Sequence, residues 1–301
     1  MKGLLAAISQ AKITDNAERL FHGRGGLFSG EEHLLADWFK PVLLITSFKE
    51  LDEAAKQQLL DAVAEQWKLS HDDVALNLVF QYRAGGQTIT EVICGEVPEP
   101  HVITENGAQF EVHLLRGQNH GLFLDMVNGR KWVKQHSQGA NVLNLFSYTC
   151  GFSVMALQGG AKQVVNMDMS KGALSIGKRN HLLNGLDANA RFFGHDIFKS
   201  WGKLTKLGPY DLIIADPPSN QKGSFVATKD YQRLLKRLPS LLAPNGEVLL
   251  CLNAPELSCD FLMQQVEQTA PELRFIERLS NAEIFKDIDE QKSLKVLRYK
   301  L

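Results

Sequence analysis

From Asn141 onward, short apolar runs recur with amphipathic stretches between them. The runs at 141–146, 163–168, 190–195, 211–216, 246–253, 273–280 and 294–301 have the length of buried strands. Segments 152–159, 171–184, 228–242 and 258–269 carry helical spacing. Strand and helix in regular alternation predict an α/β fold with a doubly wound, mostly parallel sheet of seven strands. The polar stretch Asn281–Ser293 leaves little room for a crossover helix, so the last two strands should be antiparallel neighbours.

Upstream the pattern is different. Gly3–Ala11 reads as a helix, Pro41–Phe48 as a strand, and Leu51–Trp67 as a helix with Asp52 near its start. Asp73–Arg83 and Gln87–Glu96 form a hairpin around Ala84-Gly85-Gly86. These elements predict a smaller α/β domain over residues 1–104. Pro98–Asn106 reads as a connector. A second domain, 105–301, then opens with a hairpin pairing Gln109–Leu115 with Leu122–Met126, and a helix over 128–138 leads into Asn141.

Composition narrows the class. With 44% hydrophobic and 22% charged residues in 301, the chain has the make-up of a globular protein. A net charge of −1 gives no overall attraction to nucleic acid and leaves that role to a local basic patch. Cys94, Cys150, Cys251 and Cys259 have neither CxxC nor zinc spacing, so free thiols in a reducing compartment and no metal are expected. The opening segment has too short an apolar patch for a membrane span and lacks a cleavage region, which predicts a cytoplasmic protein.

The chemistry gathers on Asn141–Ser170. Strand, turn, helix and strand here make a βαβ unit, with the turn Ser147–Gly151 at the carboxyl end of a strand, where open α/β sheets bind ligands. The turn has one glycine, Gly151, and lacks the GxGxxG spacing that brings backbone amides to a pyrophosphate. That disfavours a nicotinamide cofactor. Asp168, ending the next strand, can accept both hydroxyls of a ribose. Together they point to a nucleoside without a diphosphate, S-adenosylmethionine being the common one; the alternative is a βαβ unit that binds nothing.

Two further acids end strands, Asp196 and Asp216. The three would meet the ribose, the adenine side and a methyl-transfer centre in turn. Asp216-Pro217-Pro218 is the sharpest local signal: two prolines stiffen the loop and leave carbonyls free for a substrate amine, which suits a reaction limited by alignment. The other reading is a plain turn. Ser219–Arg237 holds Lys222, Lys229, Arg233, Lys236 and Arg237 with Phe225 and Tyr231, either an RNA-facing patch or a solvated helix face. The loop His22-Gly23-Arg24-Gly25-Gly26 could likewise meet phosphate or only solvent.

Taken in order, FEVHLL (Phe110–Leu115), GLFLDM (Gly121–Met126), Gly129-Arg130, NVLNLFSYTCGFSV, VVNMDMS, DIF and DLIIADPPS resemble a known family. It is the class I S-adenosylmethionine-dependent methyltransferases of large-subunit ribosomal RNA, in the branch that includes cytosine-C5 and guanine-N7 enzymes. The resemblance covers 105–301. It implies a seven-stranded Rossmann-like methyltransferase sheet, S-adenosylmethionine as cofactor and ribosomal RNA as partner. By it Asn144, Phe146, Ser147, Tyr148, Thr149 and Gly151 would cradle the methionine part. Asp168 would hold the ribose, Met169 pack on adenine, Asp196 and Ile197 meet its edge, and Asp216 lie near the methyl. Arg130 would pair with the cofactor carboxylate.

Two positions depart from the family pattern: Cys150 stands where a second glycine is common, and Val127 where an arginine is. The cytosine branch also carries a nucleophilic cysteine just past the fifth strand. Here Asn253-Ala254-Pro255 occupies that place and Cys251 comes two residues early, which favours the guanine-N7 branch. Phe225 or Tyr231 is the candidate to stack on a flipped base, and Ser219–Thr228 the candidate mobile loop. The competing functions are methyl transfer to a protein or small molecule, and a catalytically silent RNA-binding module.

Overall fold

The structure, a computed structural model, describes residues 1–221 and 223–301, so Lys222 of the basic segment lies outside the described residues. The chain divides into two compact units, Met1–Leu124 with Glu283–Asp289, and Asp125–Ala282 with Glu290–Leu301.

In the first unit α1 (Lys2–Gln10) precedes β1 (Glu18–His22), β2 (Leu34–Phe39), β3 (Val42–Ser47), α2 (Glu53–Ser70), β4 (Asn77–Ala84) and β5 (Gln87–Cys94). The strands form one sheet in chain order, antiparallel except where α2 joins β3 to a parallel β4. α2 begins where Asp52 accepts a hydrogen bond from the Ala55 N–H at 2.7 Å. The two helices bury Leu4, Ile8, Leu60 and Trp67 in one core with Leu43, Ile45 and Phe80. β1 and β2 are absent from the sequence expectations. β2 is buried at every position, so LLADWF shows no alternation, and its Asp37 resembles a loop residue. The structure satisfies Asp37 with a bidentate pair from Arg19 of β1, at 2.6 and 3.0 Å.

β6 (His101–Glu105) and β7 (Ala108–Val112) pair across Asn106-Gly107, both at positive φ (50° and 79°). Residues 98–106 are therefore not a mere connector, and Leu122–Met126 returns no strand; 124–126 form a 3-10 turn. Asn-Gly between alternating runs is the stronger signal and outweighs the prolines before it. The hairpin falls within the first unit, as does the boundary read at 104.

The second unit runs α3 (Val127–His136), β8 (Asn141–Leu145), α4 (Gly151–Gln158), β9 (Gln163–Met167), α5 (Lys171–Leu183), β10 (Ala190–Phe193), α6 (Trp201–Leu207) and β11 (Tyr210–Ala215). After a short pair, β12 (Asn220–Gln221) and β13 (Phe225–Val226), come α7 (Ala227–Leu235), β14 (Leu242–Leu252), α8 (Cys259–Thr269), β15 (Arg274–Leu279) and β16 (Lys295–Lys300). The seven-stranded sheet has the order β10-β9-β8-β11-β14-β16-β15. β14–β16 and β16–β15 are antiparallel and the rest parallel, as the polar linker predicts. The helix expected over 228–242 stops at Leu235, ahead of a 3-10 turn that starts at Pro239, and β14 begins at Leu242.

Alternate strand residues enter two cores. Leu143, Val165, Ile213 and Leu250 pack with Tyr231, Leu234 and Leu262, while Val142, Val164, Ile214 and Cys251 pack with Val133, Phe152 and Ala156. Helices thus cover both faces, and the strand order reverses beside β8, opening a crevice at the carboxyl ends of β8 and β11. Among the described residues no helix is long and apolar enough to cross a membrane.

Candidate active site

The turn after β8 is strained. Phe146, Tyr148 and Cys150 all take left-handed φ values, 55°, 47° and 64°, a conformation that costs a side-chain-bearing residue roughly 1–2 kcal/mol. Such a run persists only where its surroundings hold it. Asp168, just past β9, accepts the Tyr148 N–H on Oδ2 at 2.9 Å and the Ser170 N–H on Oδ1 at 2.7 Å. Below the turn, buried Asn180 of α5 donates its amide to Thr149 O at 2.9 Å. Gly177 leaves room for Cys150: a Cβ there would lie 2.5 Å from the Cys150 Sγ.

A buried polar chain supports the same turn. Asn144 of β8 donates to Asn166 Oδ1 at 2.9 Å, and Asn166 donates to Ser153 Oγ at 2.9 Å. Ser153 lies 2.8 Å from His181 Nε2, and His181 Nδ1 lies 2.6 Å from Gly177 O. A carbonyl only accepts, so Nδ1 carries the proton; burial lowers the His181 pKa, which leaves Nε2 to accept from Ser153. Each of these side chains thus has a partner. The sequence expectations omit Asn166, Ser153, Gly177, Asn180 and His181, although asparagines inside two apolar strand runs signal buried amides that need partners.

The remaining candidates fall into three positions. Met169 is 48% exposed beside Asp168, while Thr149 is buried and Phe146, Tyr148 and Gly151 are half-buried. Asp196 caps a 3-10 turn by accepting the Phe198 N–H at 2.9 Å, and the Ile197 side chain packs into the core. Of the three strand-end acids, Asp196 lines a cavity of about 290 Å³ with Phe198, Lys199, Phe225 and Arg233. Asp216, after β11, has its pKa pushed up to about 7, first by burial and then by Asp125, against the pull of Arg130. Arg130 is buried on α3. Pro217 is buried and Pro218 half-buried after it, and Ser219 donates to Asn253 O at 2.6 Å.

Phe225 and Tyr231 cannot stack on a base. Phe225 is 1% exposed and Tyr231 fully buried, the two rings meeting edge-on at 5.1 Å, with Phe146 against Phe225 at 5.2 Å. Within Ser219–Thr228, Phe225 is packed in the core and Asn220–Gln221 pair with Phe225–Val226.

The residues fit S-adenosylmethionine. Ser147 Oγ is buried beside the Cys150 thiol and has no oxygen or nitrogen partner among the described residues, so a ligand polar group has a site to meet it. Each Asp168 oxygen keeps a lone pair for a ribose hydroxyl, and exposed Met169 offers an apolar face. Among the described residues no cluster of His, Cys, Asp or Glu could hold a metal ion.

A family model of S-adenosylmethionine-dependent methyltransferases matches residues 18–300. The chain belongs to that family. This methyltransferase is 41% identical over 182 residues to ribosomal RNA large subunit methyltransferase I of Aeromonas salmonicida, covering 58% of this chain and 44% of that one. To the enzyme of the same name from Tolumonas auensis it is 36% identical over 284 residues, 90% of this chain and 70% of that one. It thus spans under half the length of the first of these relatives. A crystallised protein assigned as a methyltransferase and complexed with SAH superposes with a TM-score of 0.83 at 26% identity, over all of this chain and 79% of that one.

Proposed function

We propose that this methyltransferase modifies a base of large-subunit ribosomal RNA, at a ring nitrogen of the guanine-N7 kind rather than at cytosine C5. The names of its relatives support the RNA substrate. The choice of chemistry is carried by Cys251. Methylating cytosine C5 takes a thiolate that adds to the ring and makes the carbon electron-rich. Cys251 is fully buried among Leu249, Leu294 and Val296, and burial, then Asp216 and Asp125, push its pKa up. Asn253 is the exposed residue beyond the strand. A ring nitrogen already holds its lone pair, so the protein needs only to align nitrogen, methyl and sulfur.

In this reading the 146–151 turn holds the methionine part, Asp168 the ribose, Met169 and Asp196 the adenine, and Asp216 with Pro217 and Pro218 the reacting end. Asn144 acts from beneath, through Asn166. Ionised Asp216 stabilises the positive charge that grows on a purine ring as nitrogen takes the methyl. The test is transfer of labelled methyl from S-adenosylmethionine to undermodified large-subunit RNA, followed by digestion to nucleosides. Label in 7-methylguanosine is expected; label in 5-methylcytidine contradicts the chemistry, and no label in RNA contradicts the substrate.

A further inference from the structure

The glycine loop His22–Gly26 is built to be rigid. A Cβ at Gly23 would lie 2.0 Å from Glu31 O, and one at Gly25 2.1 Å from Lys286 O, so only glycine lets these backbones meet. The Ile288 N–H donates to Gly25 O at 2.9 Å and ties the loop down. Arg24 projects from it with its guanidinium 4.2 Å from the centre of the Phe48 ring, and Arg83 approaches the same ring at 5.8 Å. Arg19, held by Asp37, stands behind them and donates to His22 Nδ1 at 2.8 Å.

The cluster carries excess positive charge. Burial and the arginines bring the pKa of His22 down to about 4 and of His120 to about 3, so both are neutral at pH 7. Arg19, Arg24 and Arg83 then repel one another, with the Asp37 carboxylate held by Arg19 and attracting Arg83, on a chain whose net charge is −1. Gathering like charges opposes folding, and an anion relieves it. Stacking on Phe48 uses the face of the Arg24 guanidinium and spends none of its in-plane N–H donors, whose fork matches two phosphate oxygens, while Arg83 already donates to Gln81 Oε1 and Gln118 O. Among the described residues Arg24 spends none of these donors on a hydrogen bond or ion pair.

We propose that Arg24 and Arg83, stacked on Phe48 and backed by Arg19, form a binding site for the phosphodiester backbone of RNA. The site rests on the RNA reading above and adds to it a contact made by the first unit. The experiment measures affinity of the full chain for a mixed-sequence single-stranded RNA oligonucleotide across a salt series. Arg24→Gln should flatten the slope of log affinity on log salt by about 0.7, the value for one phosphate contact on a single strand. Arg24→Glu should weaken binding further, and Arg83→Gln should flatten the slope independently. Affinity for S-adenosylhomocysteine and the melting temperature should stay level for Arg24→Gln, which breaks no hydrogen bond. RNA binding with an unchanged slope in all three variants overturns the site alone. An unsubstituted protein that binds no RNA overturns the site and the substrate reading together.

Discussion

Asp216 keeps its proton to about pH 7 because burial strips its carboxylate of water and Asp125 opposes the second charge. An acid whose folded pKa is raised above its ordinary 3.8 costs stability as it ionises. There is no cost below about pH 4, a growing one between about 4 and 7, and a constant one above. Unfolding free energy from denaturant titrations should therefore fall across that window, and Asp216→Asn should flatten the fall; equal profiles would remove the shift. A second consequence follows from charge. Placed at the reacting end as proposed, Asp216 should make affinity for the sulfonium of S-adenosylmethionine rise as pH passes 7, while that for S-adenosylhomocysteine, neutral at sulfur, stays level. Calorimetric titration on both sides of pH 7 decides it, and parallel curves would place Asp216 elsewhere. Cys251→Ala should keep its turnover number, since a sealed thiol does no chemistry; abolished turnover with intact cofactor affinity would restore the covalent route. Asp216 is legible from sequence as an acid ending an apolar strand. Asp125 is not, because its approach to Asp216 depends on the chain entering α3 from a distant segment.

The 146–151 turn rests on α5 beneath it. Cys150 sits at a φ of 64°, a conformation that glycine takes without strain, and its thiol fills the space that Gly177 leaves open. Gly177→Ala alone should destabilise by about 1–3 kcal/mol, since the new methyl meets sulfur in a packed core. Cys150→Gly should relieve the strain and make room, so the double variant should recover most of that loss. A double-mutant cycle by thermal melting measures the coupling, and additive effects would show that the two do not share the space. The inner strands β8, β9, β11 and β14 are legible as apolar runs buried along most of their length, while the edge strands β10 and β15 are far more exposed and are read chiefly from their place in the alternation. β2 is not, because its polar Asp37 gains a partner only when β1 lies beside it. Phe225 and Tyr231 mislead for a related reason: aromatics in a polar segment look available for a ligand, but three-dimensional packing closes one ring on the other.

At the scale of the whole molecule, a charge of −1 hides uneven distribution. Lys229, Lys236 and Arg237 are exposed, on or just after α7, whose other face is buried through Tyr231, Leu234 and Leu235. Lys229→Gln should raise KM for RNA severalfold with kcat unchanged, and an unchanged KM would make this a solvated face. The doubly wound architecture was readable from alternation alone. The composition of the first unit was less so, because Glu283–Asp289 joins it from the far end of the chain, and no local pattern records so distant a return. The proposed activity is methyl transfer from S-adenosylmethionine to large-subunit ribosomal RNA. Mass mapping of that RNA from cells with and without the protein tests it most directly. One guanine methyl should be lost without the protein, restored by the unsubstituted chain and by Cys251→Ala, and not by Asp216→Ala. An identical set of modifications in both RNAs would contradict it.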